Sequence, residues 1–340
     1  MTDDTPSGVR LRLALGSADV GARVMVRYRL PDNRATDVLG TLELWGGPEP
    51  GSVPQASVRR SDGQVVTVAI ADLVAGHRIP APVQRIRAAD VEDLTLEDIA
   101  AVGWQAPDEH RLGGWLLRAA GGFTGRANSV LPVGDPGVAV EEALVHVSAW
   151  YGERALRARF QVPLPARAQL DDVLAARGWT AYNPTDVLVA DIPDVLGRGD
   201  GQGVGVDITG APSVDWLGAY HYRGGSLPAD AVGLFTSAPE QGFATVTRNG
   251  GVVAVGRVAL GVDGPSRRWA GLTALEVVPA ARRRGLGSQV VRALLEWAAQ
   301  RGARHAYLQV AAENAAAHAA YGRAGFVRHH GYHYRLTPAG

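Results

Sequence analysis

The first eighty residues alternate between apolar and polar positions with a period of two. Arg23-Val24-Met25-Val26-Arg27-Tyr28-Arg29-Leu30, Val38-Leu39-Gly40-Thr41-Leu42-Glu43-Leu44-Trp45, Ser57-Val58-Arg59-Arg60 and Val65-Val66-Thr67-Val68-Ala69-Ile70 all follow it. Successive residues of a strand face opposite ways, so the pattern predicts half-buried antiparallel strands. Pro31-Asp32-Asn33, Gly46-Gly47-Pro48 and Ser61-Asp62-Gly63 supply turn chemistry between them. Five strands in about 70 residues fit a small all-β barrel, assigned to residues 1–82.

Beyond Pro82 helical and strand patterns alternate, which predicts an α/β (α+β) architecture. An internal repeat sharpens this. Ala143 to Trp150, Arg159 to Val162 and Val173 to Trp179 read as helix, strand, helix and Gly-aromatic turn. Val290 to Trp297, Ala306 to Val310 and Ala320 to Phe326 read the same way. Trp150 and Trp297 are 147 positions apart, as are Gly178 and Gly325. Self-similarity at fixed spacing implies two copies of one fold, over 83–200 and 201–340. The Gly-rich stretch Leu196 to Gly205 reads as the linker between them.

Composition narrows the chemistry. The chain has 340 residues, 46% hydrophobic and 20% charged, with a formal net charge of zero. That balance argues against a protein that coats nucleic acid or an anionic membrane. Cysteine is absent, which removes thiol nucleophiles, thiolate metal sites and disulfides. Lysine is absent too, so Schiff-base chemistry and the lysine-bearing phosphate loop of nucleotide hydrolases are excluded. Met1 to Gly8 is polar and no run approaches 18 apolar residues, so a soluble cytoplasmic protein is expected.

The segment richest in chemistry is Leu272-Thr273-Ala274-Leu275-Glu276-Val277-Val278-Pro279, followed by Ala280-Ala281-Arg282-Arg283-Arg284-Gly285-Leu286-Gly287-Ser288 and an amphipathic helix through Ala299. The β-branched run is a strand that Pro279 ends. The glycines allow a turn whose amides converge at a helix N-terminus, where the helix dipole also favours an anion. Such a nest takes a phosphate or pyrophosphate, and three arginines add charge.

A second strand, Ala306 to Val310, and then Glu313-Asn314-Ala315-Ala316-Ala317-His318-Ala319-Ala320-Tyr321 with Gly325-Phe326 follow at a telling distance. Here the chain resembles the GCN5-related N-acetyltransferase (GNAT) family over about 205–337. Arg282-x-x-Gly285-x-Gly287 matches that family's acyl-CoA pyrophosphate loop, and Asn314-x-x-Ala317-x-x-x-Tyr321 its second coenzyme-contacting segment. The whole arrangement resembles tandem-GNAT enzymes of actinobacterial type with an SH3-like barrel in front.

The resemblance implies a mixed central sheet flanked by helices, in two tandem copies. It implies acetyl-CoA as co-substrate and direct transfer to a primary amine, of a small molecule or a protein, in a ternary complex. Val277 and Val278 would pair through their backbones with the pantetheine arm. Arg282, Arg283, Arg284, Gly285, Leu286, Gly287 and Ser288 would hold the pyrophosphate. Asn314 caps a helix and reaches the pantetheine side, while Tyr321, two turns on, is the candidate acid for the departing thiolate. Glu276 is the candidate base, against a structural carboxylate. Gln309 stands where some relatives carry a glutamate, and Glu313 reads as first-turn helix charge.

Other features carry less. His318, His329, His330 and His333 span a helix and a strand hairpin without matching carboxylates, and no metal is expected. Trp216 and Tyr220-His221-Tyr222 fall on the predicted first helix of the second copy, either as core or as acceptor pocket. The first copy has Gly134-Asp135-Pro136-Gly137 in place of the phosphate loop, so it is read as degenerate. Its Gly125-Arg126-Ala127-Asn128-Ser129 stretch either faces a shared cleft or holds the halves together. The alternative from another class is a non-catalytic acyl-CoA sensor or scaffold using the same fold. No membrane or nucleic-acid partner is expected.

Overall fold

The computed structural model describes residues 14–47, 51–60, 62–79, 87–198, 205–221, 225, 227–228, 231–263 and 267–338. The expected linker lies partly outside them, as does Tyr222. Two compact units are present, Met1–Arg85 and Ile86–Gly340, so the expected division near residue 200 falls inside the larger one.

The first unit is a five-stranded antiparallel sheet of β1 (Arg23–Arg29), β2 (Ala35–Gly46), β3 (Gln55–Arg59), β4 (Val65–Ala69) and β5 (Leu73–Arg78), in the order β4-β3-β2-β1-β5. The inward residues of the alternating pattern, Val24, Val26, Val38, Leu42, Ala56 and Val58, form its core. The sheet curls tightly at Gly40, where a Cβ would lie 2.0 Å from the Arg59 carbonyl oxygen.

The second unit opens with α1 (Asp93–Val102) and a three-stranded sheet, β6 (Asp108–Leu112), β7 (Trp115–Ala119) and β8 (Leu131–Pro132). Then follow α2 (Val140–Gly152), β9 (Arg159–Leu164), α3 (Ala168–Ala176), β10 (Thr180–Asp191), α4 (Ile192–Leu196), β11 (Asp207–Thr209), α5 (Val214–Ala219) and α6 (Ala231–Phe235). The chain ends with β12 (Gln241–Arg248), β13 (Gly251–Asp263), β14 (Arg267–Val277), α7 (Leu286–Gln300), β15 (Ala303–Ala311), α8 (Ala315–Ala324) and β16 (Val327–Leu336).

The large sheet runs β11-β12-β13-β14-β15-β10-β16-β9. The 147-residue offset relates β9 to β15, α3 to α8 and β10 to β16. The two copies have exchanged their last strands: β10 lies between β15 and β16, and β16 between β10 and β9. The register is self-complementary, because the pairs Thr180↔Leu336 and Val189↔Val327 convert into one another under that offset. A local two-fold therefore passes between β10 and β16.

Helix α7 covers one face of the sheet. Its Val290, Val291, Leu294, Leu295 and Ala298 pack on Val246, Val258, Leu260, Ala270, Leu272 and Leu308. Gly256 lets it come close, since a Cβ there would meet Val290 Cγ1 at 2.7 Å. The opposite face carries Trp216, Phe235, Phe243 and Val255 in one cluster, and Trp269, Tyr307, Val187 and Val189 in another.

Candidate active site

Strand β14 carries one residue more than its partner. Val255 and Arg257 of β13 are two positions apart, yet they pair with Glu276 and Thr273, three apart. Ala274 takes a φ of 52° at this bulge. Before it, Ala270 and Leu272 face the α7 core; after it, Leu275 and Val277 do. Strict alternation would have aimed Glu276 into that apolar core. The bulge turns it to the other face, where its side chain is 18% exposed.

His221, just past α5, meets it there. The His221 backbone N–H donates to Glu276 Oε2 at 2.7 Å, and its Nδ1 lies 3.3 Å from Oε1. The expected helix stops at Ala219, with Tyr220 as its C-cap, so His221 is free of helical geometry. Trp216 is fully buried and donates to the Ala244 carbonyl, a core residue and not an acceptor contact.

Arg257, unremarked in the sequence, fixes the near side of the bulge. It donates to the carbonyls of Phe235 (2.7 Å) and Gly103 (3.1 Å), and its Nη1 lies 3.3 Å from Thr273 Oγ1. Burial pulls its guanidinium down to about 9. An isolated arginine in the otherwise apolar Val252 to Leu260 was the available signal.

The parallel ladder between β14 and β15 stops at Leu272↔Leu308. Beyond it the two strands part, leaving a wedge lined by backbone. Val278 does not face this wedge: its N–H donates to Val253 and its carbonyl accepts from Ala281. By the alternation of an antiparallel ladder, Val277 is turned into the wedge. Its carbonyl accepts from Arg282 Nε at 3.0 Å, so Arg282 is folded back along the strand end. Of the two valines expected to present backbone, only Val277 does.

Past Pro279 the chain turns with Arg283 at φ 59° and Gly285 at φ 76°, and Gly285 is the N-cap of α7. The N–H groups of residues 283–288 find no acceptor among the described residues; Gln289 is the first to donate, to Gly285. Six consecutive amides without an acceptor among the described residues, at the positive end of a 15-residue helix, suit an anion. Arg283, Arg284 and Ser288 are exposed beside it, and Leu286 is buried beneath. A Cβ on Gly287 would meet only Val277 Cγ2, at an ordinary 3.7 Å.

Helix α8 begins at Asn314, whose Oδ1 accepts from the Ala317 N–H at 3.1 Å. Two turns on, Tyr321 packs against the core cluster that holds Leu308 and Val310, with its ring 5.9 Å from Phe326. Its hydroxyl has no hydrogen-bond partner among the described residues, and burial pushes the phenol up to about 12. Glu313 is exposed. Gln309 accepts a short hydrogen bond from Arg126, so the Gly125 to Ser129 turn does tie the two halves together. Asn128 is fully used within that turn, holding the amides of Ala120 and Gly122 and the carbonyls of Phe123 and Thr124.

In the first half, Asp135 Oδ1 accepts from the Gly137 N–H at 2.7 Å. A carboxylate of the chain thus takes the amide that a phosphate would need. The four C-terminal histidines do not gather: His318 lies 3.5 Å from Asp186 and His333 2.6 Å from Asp171, while His329 and His330 adjoin each other.

This fold defines a GNAT-type N-acetyltransferase built from two tandem copies. A GCN5-related N-acetyltransferase from Kribbella flavida superposes with a TM-score of 0.55 at 17% identity, over 73% of this chain and 96% of that one. A tandem GNAT protein from the clavulanic acid biosynthesis pathway gives 0.51 at 15%, over 75% and 90%. The chain belongs to the family described as "Probable histone acetyltransferase Rv0428c C-terminal", matched over residues 90–335. Residues 18–77 match the accompanying "Rv0428c N-terminal Sm-like domain", so the small β unit expected as SH3-like is Sm-like.

The chain is 32% identical over 329 residues to "Probable histone acetyltransferase Rv0428c" of Mycobacterium tuberculosis, covering 94% of this chain and 95% of that protein. It is 30% identical over 251 residues to "Uncharacterized N-acetyltransferase YobR" of Bacillus subtilis, covering 71% and 97%. Among the described residues, no helix is long and apolar enough to cross a membrane.

Proposed function

We propose that this chain moves an acetyl group from acetyl-CoA directly to a primary amine, with both substrates held together in the wedge between β14 and β15. The observation that carries this reading is the wedge's two-sidedness. The amide cradle of residues 283–288 lies at its α7 side, and Glu276 projects on the opposite face. The cradle, Arg283 and Arg284 suit a pyrophosphate. The Val277 backbone suits an extended amide-bearing arm, and the exposed end of Asn314 lies at the start of α8.

An amine must lose a proton to attack, and Glu276 is the group positioned to take it, held in place by the His221 amide. The departing thiolate has an ordinary pKa of about 8.5, so full proton transfer from Tyr321 at about 12 would cost about 5 kcal/mol. Tyr321 acts as a hydrogen-bond donor to the developing charge and keeps its proton. Much of the rate comes from holding two reactants in one cleft, which replaces several kcal/mol of barrier. The name of the Mycobacterium tuberculosis relative favours protein amines among the acceptors.

Calorimetry with acetyl-CoA on wild type and Gly287→Glu tests the coenzyme part, because a Cβ there meets Val277 Cγ2 only at an ordinary 3.7 Å and the carboxylate brings negative charge to the amides. Binding by wild type alone is expected, followed by thiol release with an amine panel that includes lysine peptides. Binding without release for every amine would leave a sensor, and no binding would overturn the proposal.

A further inference from the structure

Outside the wedge, two imidazoles and a carboxylate meet in a geometry that acetyl transfer does not use. On β16, His330 pairs with Val187 and Arg328 with Leu188, so His329 is an extra residue in a β-bulge. Consecutive strand residues ordinarily face opposite ways, and a bulge re-aims them. Here it brings the two rings together, with Nδ1 to Nδ1 at 2.8 Å.

The outer nitrogens have partners of their own. His329 Nε2 lies 2.7 Å from the Val91 carbonyl oxygen, which can only accept, so this nitrogen carries the hydrogen. His330 Nε2 lies 2.9 Å from Glu97 Oε1, and the other Glu97 oxygen accepts from Gln161 at 2.7 Å. Opposite an ionised Glu97 this nitrogen carries a hydrogen as well. A neutral imidazole protonated at Nε2 has a lone pair at Nδ1. Two lone pairs therefore confront each other, and Asp93 Oδ1 joins them at 3.4 Å from His329 and 3.8 Å from His330. Three electron-rich atoms converge, an arrangement resolved by a proton shared between the imidazoles or by a metal cation.

The spacing fits a small cation. A triangle with sides 2.8, 3.4 and 3.8 Å has its centre about 2.0 Å from every corner, which is the length of a Zn–N or Zn–O bond. We propose that Asp93 Oδ1, His329 Nδ1 and His330 Nδ1 bind one divalent transition-metal ion of the zinc class, with water as fourth ligand. The Val91 carbonyl and the Glu97 carboxylate are the outer hydrogen-bond partners that such imidazole ligands require. The histidine side chains are 5% and 1% exposed and that of Asp93 23%, so the ion enters past the carboxylate. Asp93 opens α1 and the histidines lie on the last strand, so the ion clamps segments 236 positions apart.

The test uses the full chain, produced without a histidine tag and stripped with a chelator. Titration with zinc chloride is expected to saturate at one equivalent per chain and to raise the unfolding temperature. Cobalt chloride is expected to give the strong visible absorption of a four-coordinate site. Asp93→Asn alters a partly exposed side chain and His329→Gln keeps a donor for Val91; each should weaken zinc binding at least tenfold and abolish the thermal shift, with far-UV circular dichroism reporting that both fold. Failure of wild type to take up micromolar zinc would overturn the proposal and leave a proton shared between the imidazoles. Equal uptake by wild type and both folded variants would overturn it as well.

Discussion

Glu276 and His221, 55 positions apart, are joined twice: the backbone amide of His221 donates to one carboxylate oxygen, and its ring nitrogen lies 3.3 Å from the other. A carboxylate so held keeps its orientation when an amine arrives. Glu276→Gln preserves shape and an acceptor oxygen but removes the base, and kcat is expected to fall about 10²- to 10⁴-fold with little change in KM for acetyl-CoA. Steady-state thiol release checks it. A rate within threefold of wild type would reduce Glu276 to a clasp for the His221 segment.

Tyr321 makes a different prediction, in pH. With the phenol pushed up to about 12 it stays protonated, and so stays a donor, at every pH below that value. Its ionisation therefore gives no alkaline limb below about pH 11. Tyr321→Phe should lower kcat about ten- to a hundredfold while leaving the shape of the profile from pH 6 to 10 unchanged. An alkaline limb that vanishes in the variant would contradict this.

Asp171 of α3 joins His333 and Arg335 of β16, linking elements from the two copies. The Arg335 hydrogen bonds, followed by that from His333, hold its carboxyl below the usual range. A depressed carboxylate stabilises the fold fully above its unfolded value of about 3.9, and the contribution is lost as pH falls through the lower folded value. Urea midpoints should show Asp171→Asn less stable than wild type at pH 7, with the gap closing as the pH falls below about 3.9.

Gly271 is held by sterics. A Cβ there would lie 2.2 Å from the Tyr307 hydroxyl and 2.4 Å from its Cζ. Tyr307 is buried and belongs to the core beside Trp269. Gly271→Ala is expected to cost about 1–3 kcal/mol by chemical denaturation, the usual penalty for overpacking.

The repeat was legible because fixed spacing between tryptophans and glycines survives where local propensity is ambiguous. The turn that opens α7 was legible because glycine at Gly285 and Gly287, after a strand and before a helix, is a local pattern. The strand exchange was not. Strands β10 and β16 show the same alternation to either neighbour, so nothing local says which copy each completes. The bulge at Ala274 was equally hidden, because an alanine with positive φ carries no sequence mark. The carboxylate missing from the histidine cluster was Asp93, more than two hundred positions away at the start of a helix, where it reads as dipole charge. Val278 was misjudged for a related reason, since which valine faces the wedge depends on ladder phase.

The strand exchange also sets an order on biosynthesis. Strand β10 has left the ribosome long before its two neighbours in the sheet, which form from residues 303–311 and 327–336. Until then it and β9 keep unpaired edges, the kind of surface on which nascent chains stick to one another. Elongation through Leu336 is therefore a period of exposure for this chain, and it closes only when β16 is free to pair.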